Sequence, residues 1–405
     1  MPRIIETGVR LAYPPGHHLH CLIAQIPNRL RRSTFGWAIA DPPAQWRTIE
    51  SVLDLVVEGR GNLKRLHFLL FPESSVPVAR VDQLLETIGS RFRPNTVTMF
   101  GIEHVPLRIY REFLARYRDD NAEALTLVDR DIDSGDVLDV PVNWCCVAVK
   151  EHDGRLRVFL EAKSHPFHGE EFLDSNDDLY RGRHFYLFRN RLTPFNFMVL
   201  VCVDYVYRSL YASNIRQIVD HANQLFFKSR QTLSALFVVQ TNPKPEHPVY
   251  RDVLSGFYGE YLEDTPGVRE TVTVFGNCSD QSELQGLAAP GSFGASSVVI
   301  GPRHNLPHAR GEEYSTDDFG GAPLWRMRFG TQTRLFYLNL PFDHEVDPRG
   351  SRVPLKVHSV MRPAADGRWV AVRRGDRARK DDDRGREVDA EPIPLTSLEA
   401  IARGR

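Results

Sequence analysis

The chain has 405 residues, 42% of them hydrophobic, with 51 Lys plus Arg against 52 Asp plus Glu and a net charge of −1. That length and hydrophobic content suffice for a large buried core, and the balanced charge excludes general attraction to nucleic acid or acidic membranes. Five cysteines without a CxxC pair argue against a disulfide framework; with no apolar run of bilayer length and no secretory h-region, a cytoplasmic protein is expected.

Strand-like and helix-like runs alternate from the N-terminal side. LHCLIAQI (19–26) reads as a buried strand. AQWRTIESVLDLVVEG (44–59) carries Trp46, Ile49, Leu53 and Val56 at helical spacing, with Asp41 as N-cap ahead of Pro42. Then follow a strand over 66–71, a helix over 78–92 and a strand over 95–105, an order that implies parallel pairing with crossovers. Residues 106–141 open as a helix and drift into a polar stretch. VNWCCVAVKEHDGRLRVFLEAK (142–163) predicts a hairpin turning at His152-Asp153-Gly154. Residues 164–192 read as a long polar loop. Beyond it come a strand (195–205), a helix (211–231), a strand (233–242), a helix (247–264) and strands over 271–277, 296–302 and 334–341, with 303–331 disrupted. Residues 1–17 read as an N-terminal extension and 363–405 as a charged, mobile tail.

Three chemically capable residues each close an apolar strand. Glu73 follows LHFLLFP, Lys163 ends RVFLEAK and Cys202 ends FMVLVC. A cysteine at the C-terminal end of a buried strand, before a turn, sits where α/β sheets place ligand sites. Its turn exposes the backbone N–H groups of Val203 and Asp204, which are expected to lower the thiol pKa and to hold an oxyanion. A carboxyl ending an apolar strand is partly desolvated, so Glu73 is expected to have a raised pKa suited to general acid/base work. The bland alternatives are a core cysteine, an exposed loop glutamate and an ordinary hairpin lysine.

The ordered set of Glu73, Lys163 and Cys202, with FPE, AKSHPF and VLVCVDY around them, resembles the carbon-nitrogen hydrolase (nitrilase) superfamily. Gln25 in LIAQI, the strand VTVFGNCS and the segment GSFGASSVVIGP extend the resemblance over roughly 18–342. It implies an α/β fold, a four-layer α-β-β-α sandwich spanning 18–362. It also implies cleavage of an amide or nitrile through a Cys202 thioester, with Glu73 as acid/base and Lys163 at the oxyanion. Glu170 or Glu171 would support the lysine or the substrate, and solvated loop glutamates remain equally open. The partners implied are a small-molecule amide or nitrile and a second copy of the chain, giving a homodimer or larger homo-oligomer through helices 206–231 and 247–264. No cofactor and no metal are expected; HHLHC at 17–21 lacks zinc-site spacing. A second reading keeps the scaffold and gives it an interaction or effector role, for example in a bacterial defence assembly. The long loops at 106–141 and 164–192 and the PKPEHP segment (243–248) depart from the family and put the substrate in doubt.

Overall fold

The computed structural model describes residues 1–13, 19–135, 137–167, 170, 179–209, 212–229, 231–261, 265–301, 313–317, 324–342 and 355–372. The first part of the chain runs through β1 (Arg3–Val9), β2 (Leu19–Gln25), β3 (Arg29–Ser33), β4 (Gly36–Ile39), α1 (Pro42–Glu58), β5 (Leu66–Leu70) and α2 (Val81–Arg91). Next come β6 (Thr96–Pro106), α3 (Leu107–Arg116), α4 (Arg118–Ser134), β7 (Pro141–Lys150) and β8 (Leu156–Ala162). After these lie β9 (His184–Asn190), β10 (Asn196–Val201), α5 (Asn214–Phe226), β11 (Leu233–Val239), α6 (Pro248–Gly256) and β12 (Val272–Gly276). The remaining strands are β13 (Glu283–Leu284), β14 (Ser297–Ile300), β15 (Tyr314–Asp317), β16 (Trp325–Phe329), β17 (Arg334–Leu340), β18 (Lys356–Pro363) and β19 (Trp369–Ala371).

The class is mixed α/β, built on two eight-stranded sheets. One has the order β1-β9-β10-β11-β12-β14-β16-β15 and the other β19-β18-β17-β2-β5-β6-β7-β8, with a small β13-β3-β4 sheet beside them. Each large sheet has a parallel centre, β10-β11-β12 in one and β2-β5-β6 in the other. Alternation along the strands sorts the two faces of the first sheet. Met198, Leu200, Leu236 and Val238 pack with Ile215 and Ile218 of α5 and Leu254 of α6. Their neighbours Phe197, Val199 and Phe237 point the other way, into a core shared with the second sheet. There Phe68 of β5 meets Phe195 and Phe237 at ring-centroid distances of 5.3 and 5.1 Å. Helices α2, α3 and α4 lie against β6, β7 and β8 of the second sheet. The arrangement is consistent with the expected sandwich.

Local chemistry explains the elements that were legible. Asp41 caps α1 by accepting from the Ala44 N–H at 3.0 Å, Pro42 and Pro43 open the helix, and Gly59 ends it at φ +64°. The 142–163 hairpin forms with Gly154 at φ +86° in its turn.

Several segments differ from the sequence expectation. The polar stretch after α3 is helix α4, whose buried face of Ala124, Leu125 and Val128 is hidden among acidic residues. The loop expected over 164–192 contains β9, which pairs parallel with β1, so the supposed N-terminal extension supplies an edge strand. The disrupted stretch 303–331 holds β15 and β16. Part of the expected tail is also sheet, since β19 pairs with β18 and Trp369 donates to the Ser51 hydroxyl at 2.9 Å. Residues 373–405 lie outside the described residues.

Candidate active site

Strand β5 delivers Glu73 three residues past its end, where the chain crosses the neighbouring strand β6 closely. Gly101 makes that crossing possible: a Cβ there would lie 2.3 Å from the Glu73 Cα. The next residue, Ser74, takes a left-handed φ of +51°, a conformation disfavoured for a residue with a side chain. The buried Glu73 carboxylate accepts from Lys163 Nζ (2.8 Å) and Asn143 Nδ2 (2.7 Å) at Oε1, and from the Thr241 N–H (2.9 Å) at Oε2. Its backbone carbonyl accepts from Thr241 Oγ1 at 2.6 Å and Asn28 Nδ2 at 2.9 Å. Groups from both large sheets therefore hold one carboxylate in place.

Lys163, immediately beyond β8, has 0% side-chain exposure and bridges Glu73 Oε1 and Glu170 Oε2, both at 2.8 Å. Burial opposes its charge, but Glu170 and Glu73 outweigh that cost, so its pKa is raised well above the ordinary value. Glu170 accepts from Asn143 Nδ2 (2.6 Å) and His104 Nε2 (3.3 Å) at Oε1 and from the Phe167 N–H (3.0 Å) at Oε2. Burial pushes this carboxyl up, yet Lys163 and the His104 hydrogen bond prevail and hold it at about 2. Of the two glutamates singled out in the sequence, Glu170 meets the lysine. Glu171 lies outside the described residues.

Cys202 begins a short 3-10 turn directly after β10, at φ +47°. A non-glycine residue in that region is strained, and such strain concentrates at functional turns. The residue is 6% exposed, and Sγ lies 3.4 Å from the Tyr250 hydroxyl. Glu73 and Lys163 both act on this thiol through space, the carboxylate raising its pKa and the ammonium lowering it. The outcome corrects the expectation of a depressed thiol pKa. Burial is the largest influence and pushes the Cys202 thiol far above its ordinary value, so it rests protonated. The geometry surrounds the Glu73 carboxylate with donors.

Val203 and Asp204 were singled out for their backbone. The Val203 carbonyl closes the turn by accepting from Val206 N (3.0 Å) and Tyr207 N (2.8 Å). Asp204 acts through its side chain, which is fully buried and accepts from Ser164 N (3.0 Å), Ser164 Oγ (2.7 Å) and His165 N (3.1 Å). It ties the loop carrying Lys163 to the turn carrying Cys202. Burial raises its pKa to about 7 against the hydrogen bonds from Ser164.

His104, Asn143, Thr241, Asn28 and Tyr250 escaped the sequence reading. Each is a polar residue at the end of, or just outside, an apolar strand or helix, and nothing local distinguishes it from a solvated one. A narrow cleft is lined by Tyr250, Gln240, Glu246, Phe275, Ser297 and Arg326, and Cys202 is not among its lining residues. Arg326 is buried there and paired with Glu246 (2.6 Å) and Asp317 (2.9 Å). Among the described residues no group of three or more His, Cys, Asp or Glu is placed to hold a metal ion. His17 and His18 lie outside them, while His20 stacks on His67 and Tyr337. No helix among the described residues is long and apolar enough to cross a membrane.

No protein-family model and no curated protein matches the chain. Among solved structures it is similar to a glutamine-dependent NAD+ synthetase from Acinetobacter baumannii, solved in complex with ADP. The identity is 13% and the TM-score 0.41, with 84% of this chain covered. The chain spans about half of that protein, 48% of its length.

Proposed function

We propose that the protein hydrolyses a non-peptide carbon–nitrogen bond, in an amide or a nitrile, through a thioester on Cys202. The observation that carries this reading is the buried Glu73–Lys163–Glu170 cluster acting electrostatically on a cysteine held in a strained turn. In the amide reaction Glu73 removes the thiol proton as sulfur attacks the carbonyl carbon. Lys163 and the turn N–H groups stabilise the oxyanion that forms. The C–N bond breaks as Glu73 returns the proton to the leaving amine. Glu73 then takes a proton from water as the hydroxide attacks the thioester, the C–S bond breaks, and Glu73 returns that proton to sulfur, releasing the acid and the free thiol. Glu170 keeps Lys163 in place, and Asp204 holds the lysine loop against the cysteine turn. Self-association through the surface around α5 and α6 belongs to the same proposal, motivated by Phe227, 61% exposed at the end of α5. A monomeric mass in solution would remove that part.

The test is a trap. Glu73→Gln, incubated with a panel of amides and nitriles, is expected to gain the mass of one acyl group on Cys202, and Cys202→Ala none. If neither wild type nor Glu73→Gln forms an adduct and no substrate is turned over, the hydrolase reading fails. The interaction or effector role on the same scaffold then replaces it, a reading favoured by the near-complete burial of Cys202 beneath Tyr250.

A further inference from the structure

We propose that His104 is a positioning residue of the cluster, locked as the neutral Nε2–H tautomer so that it fixes Glu170 against Lys163. The kinetic part of this proposal rests on the hydrolase reading; the tautomer stands on geometry alone. The Trp37 backbone N–H donates to His104 Nδ1 at 3.2 Å. A backbone N–H can only donate, so the nitrogen facing it carries a lone pair and no proton. The proton of the neutral ring is then on Nε2, which faces Glu170 Oε1 at 3.3 Å. To become an imidazolium the ring must expel the Trp37 N–H from a buried site.

The surroundings oppose that. Gly36, at φ +94°, lets the turn between β3 and β4 lie on the imidazole, where a Cβ would come within 2.3 Å of Nδ1. The adjacent Glu103 carboxylate accepts from Ile39 N (3.0 Å) and Val78 N (2.8 Å), which pins the same hairpin to the end of β6. The small third sheet is thereby coupled to the ion cluster through neighbouring residues of one strand. The charged groups nearest the far edge of the ring are Glu170, Lys163 and Glu73, with neutral Asn143 between the two carboxylates. With His104 neutral, the cluster holds two carboxylates against one ammonium. It stays net negative, which adds to the burial that holds the Cys202 thiol protonated. An imidazolium would cancel that charge and compete with Lys163 for Glu170.

Two measurements on the full chain test the proposal. In 15N-histidine spectra, the signal missing from His104→Gln is expected to show a protonated Nε2 and a bare Nδ1. The spectra are recorded at about pH 7. In kinetics on an amide that wild type hydrolyses, His104→Leu is expected to lower kcat about tenfold or more with KM unchanged. His104→Gln, which retains a side-chain N–H donor, is expected to recover to within about threefold of wild type. An imidazolium or Nδ1–H signal overturns the proposal, as does wild-type kcat in His104→Leu. If wild type hydrolyses nothing, the hydrolase reading falls and the tautomer spectrum alone decides whether His104 is locked.

Discussion

Lys163→Met removes the cation that bridges two buried carboxylates while keeping an unbranched side chain of similar length. In the native cluster Lys163 Nζ lies 2.8 Å from both Glu73 Oε1 and Glu170 Oε2. Glu170 is held at about 2, against an ordinary value of 4.5. A carboxyl depressed on folding contributes stability that is fully present above its unfolded pKa and is lost as pH falls through its folded pKa. A shift of roughly 2.5 units at about 1.4 kcal/mol each makes that contribution about 3 kcal/mol at neutral pH, shared between Lys163 and His104 with Lys163 the larger part. This agrees with the ~3–5 kcal/mol expected when one partner of a buried ion pair is removed. In the variant, burial pushes the Glu170 carboxyl up, and it takes a proton once the pH is low enough. Urea unfolding followed by tryptophan fluorescence at about pH 8 should therefore show a loss of about 3–5 kcal/mol. By about pH 5 the loss should shrink by about 1 kcal/mol or more. Adding Glu73→Gln should recover part of the loss at pH 8, because only one buried charge is then unpaired. A loss below about 1 kcal/mol, or one equal at both pH values, would refute the view that Lys163 neutralises two buried carboxylates.

Asp204 has the opposite sign. Its folded-state value of about 7 exceeds the ordinary 3.8, so between those values the folded protein keeps a proton that the unfolded chain has released. Its contribution to stability therefore falls as pH rises from about 4 to about 7 and is lowest above that. Asp204→Asn, which keeps an acceptor oxygen for Ser164 and His165, should raise stability by about 2 kcal/mol at pH 8 and little at pH 4, read from paired thermal melts. A gain independent of pH would contradict this account. Iodoacetamide on the native protein should label Cys202 before Cys21, Cys145, Cys146 and Cys278, because those four are fully buried. The reaction should be slow at neutral pH and still accelerating near pH 9, since the thiol rests protonated. Peptide mapping of the adducts checks this; rapid labelling at pH 7 would contradict a protonated resting thiol.

Much of the fold follows from local patterns. The cap at Asp41, the 142–163 hairpin and the buried runs before Glu73 and Cys202 are short-range features. They depend on neighbours a few residues apart, which a linear reading sees. Helix α4 and strand β9 were obscured because their apolar residues are interleaved with charges, and only packing against another strand reveals which face is buried. The cluster itself was only half visible. Glu73, Lys163 and Cys202 stand out because each interrupts an apolar strand end, whereas His104, Asn143, Asn28 and Thr241 look like any polar boundary residue. Asn28, Glu73, His104, Asn143, Lys163 and Thr241 meet because strands of both large sheets bring these six segments together. The question between Glu170 and Glu171 had the same character: adjacent acids are equivalent in a string, and the loop geometry carries Glu170 to the lysine. The protonation of the thiol was beyond the sequence for a further reason. Turn N–H groups and a lysine favour the thiolate, while desolvation opposes it, and the winner depends on burial at Cys202, which only the tertiary structure sets.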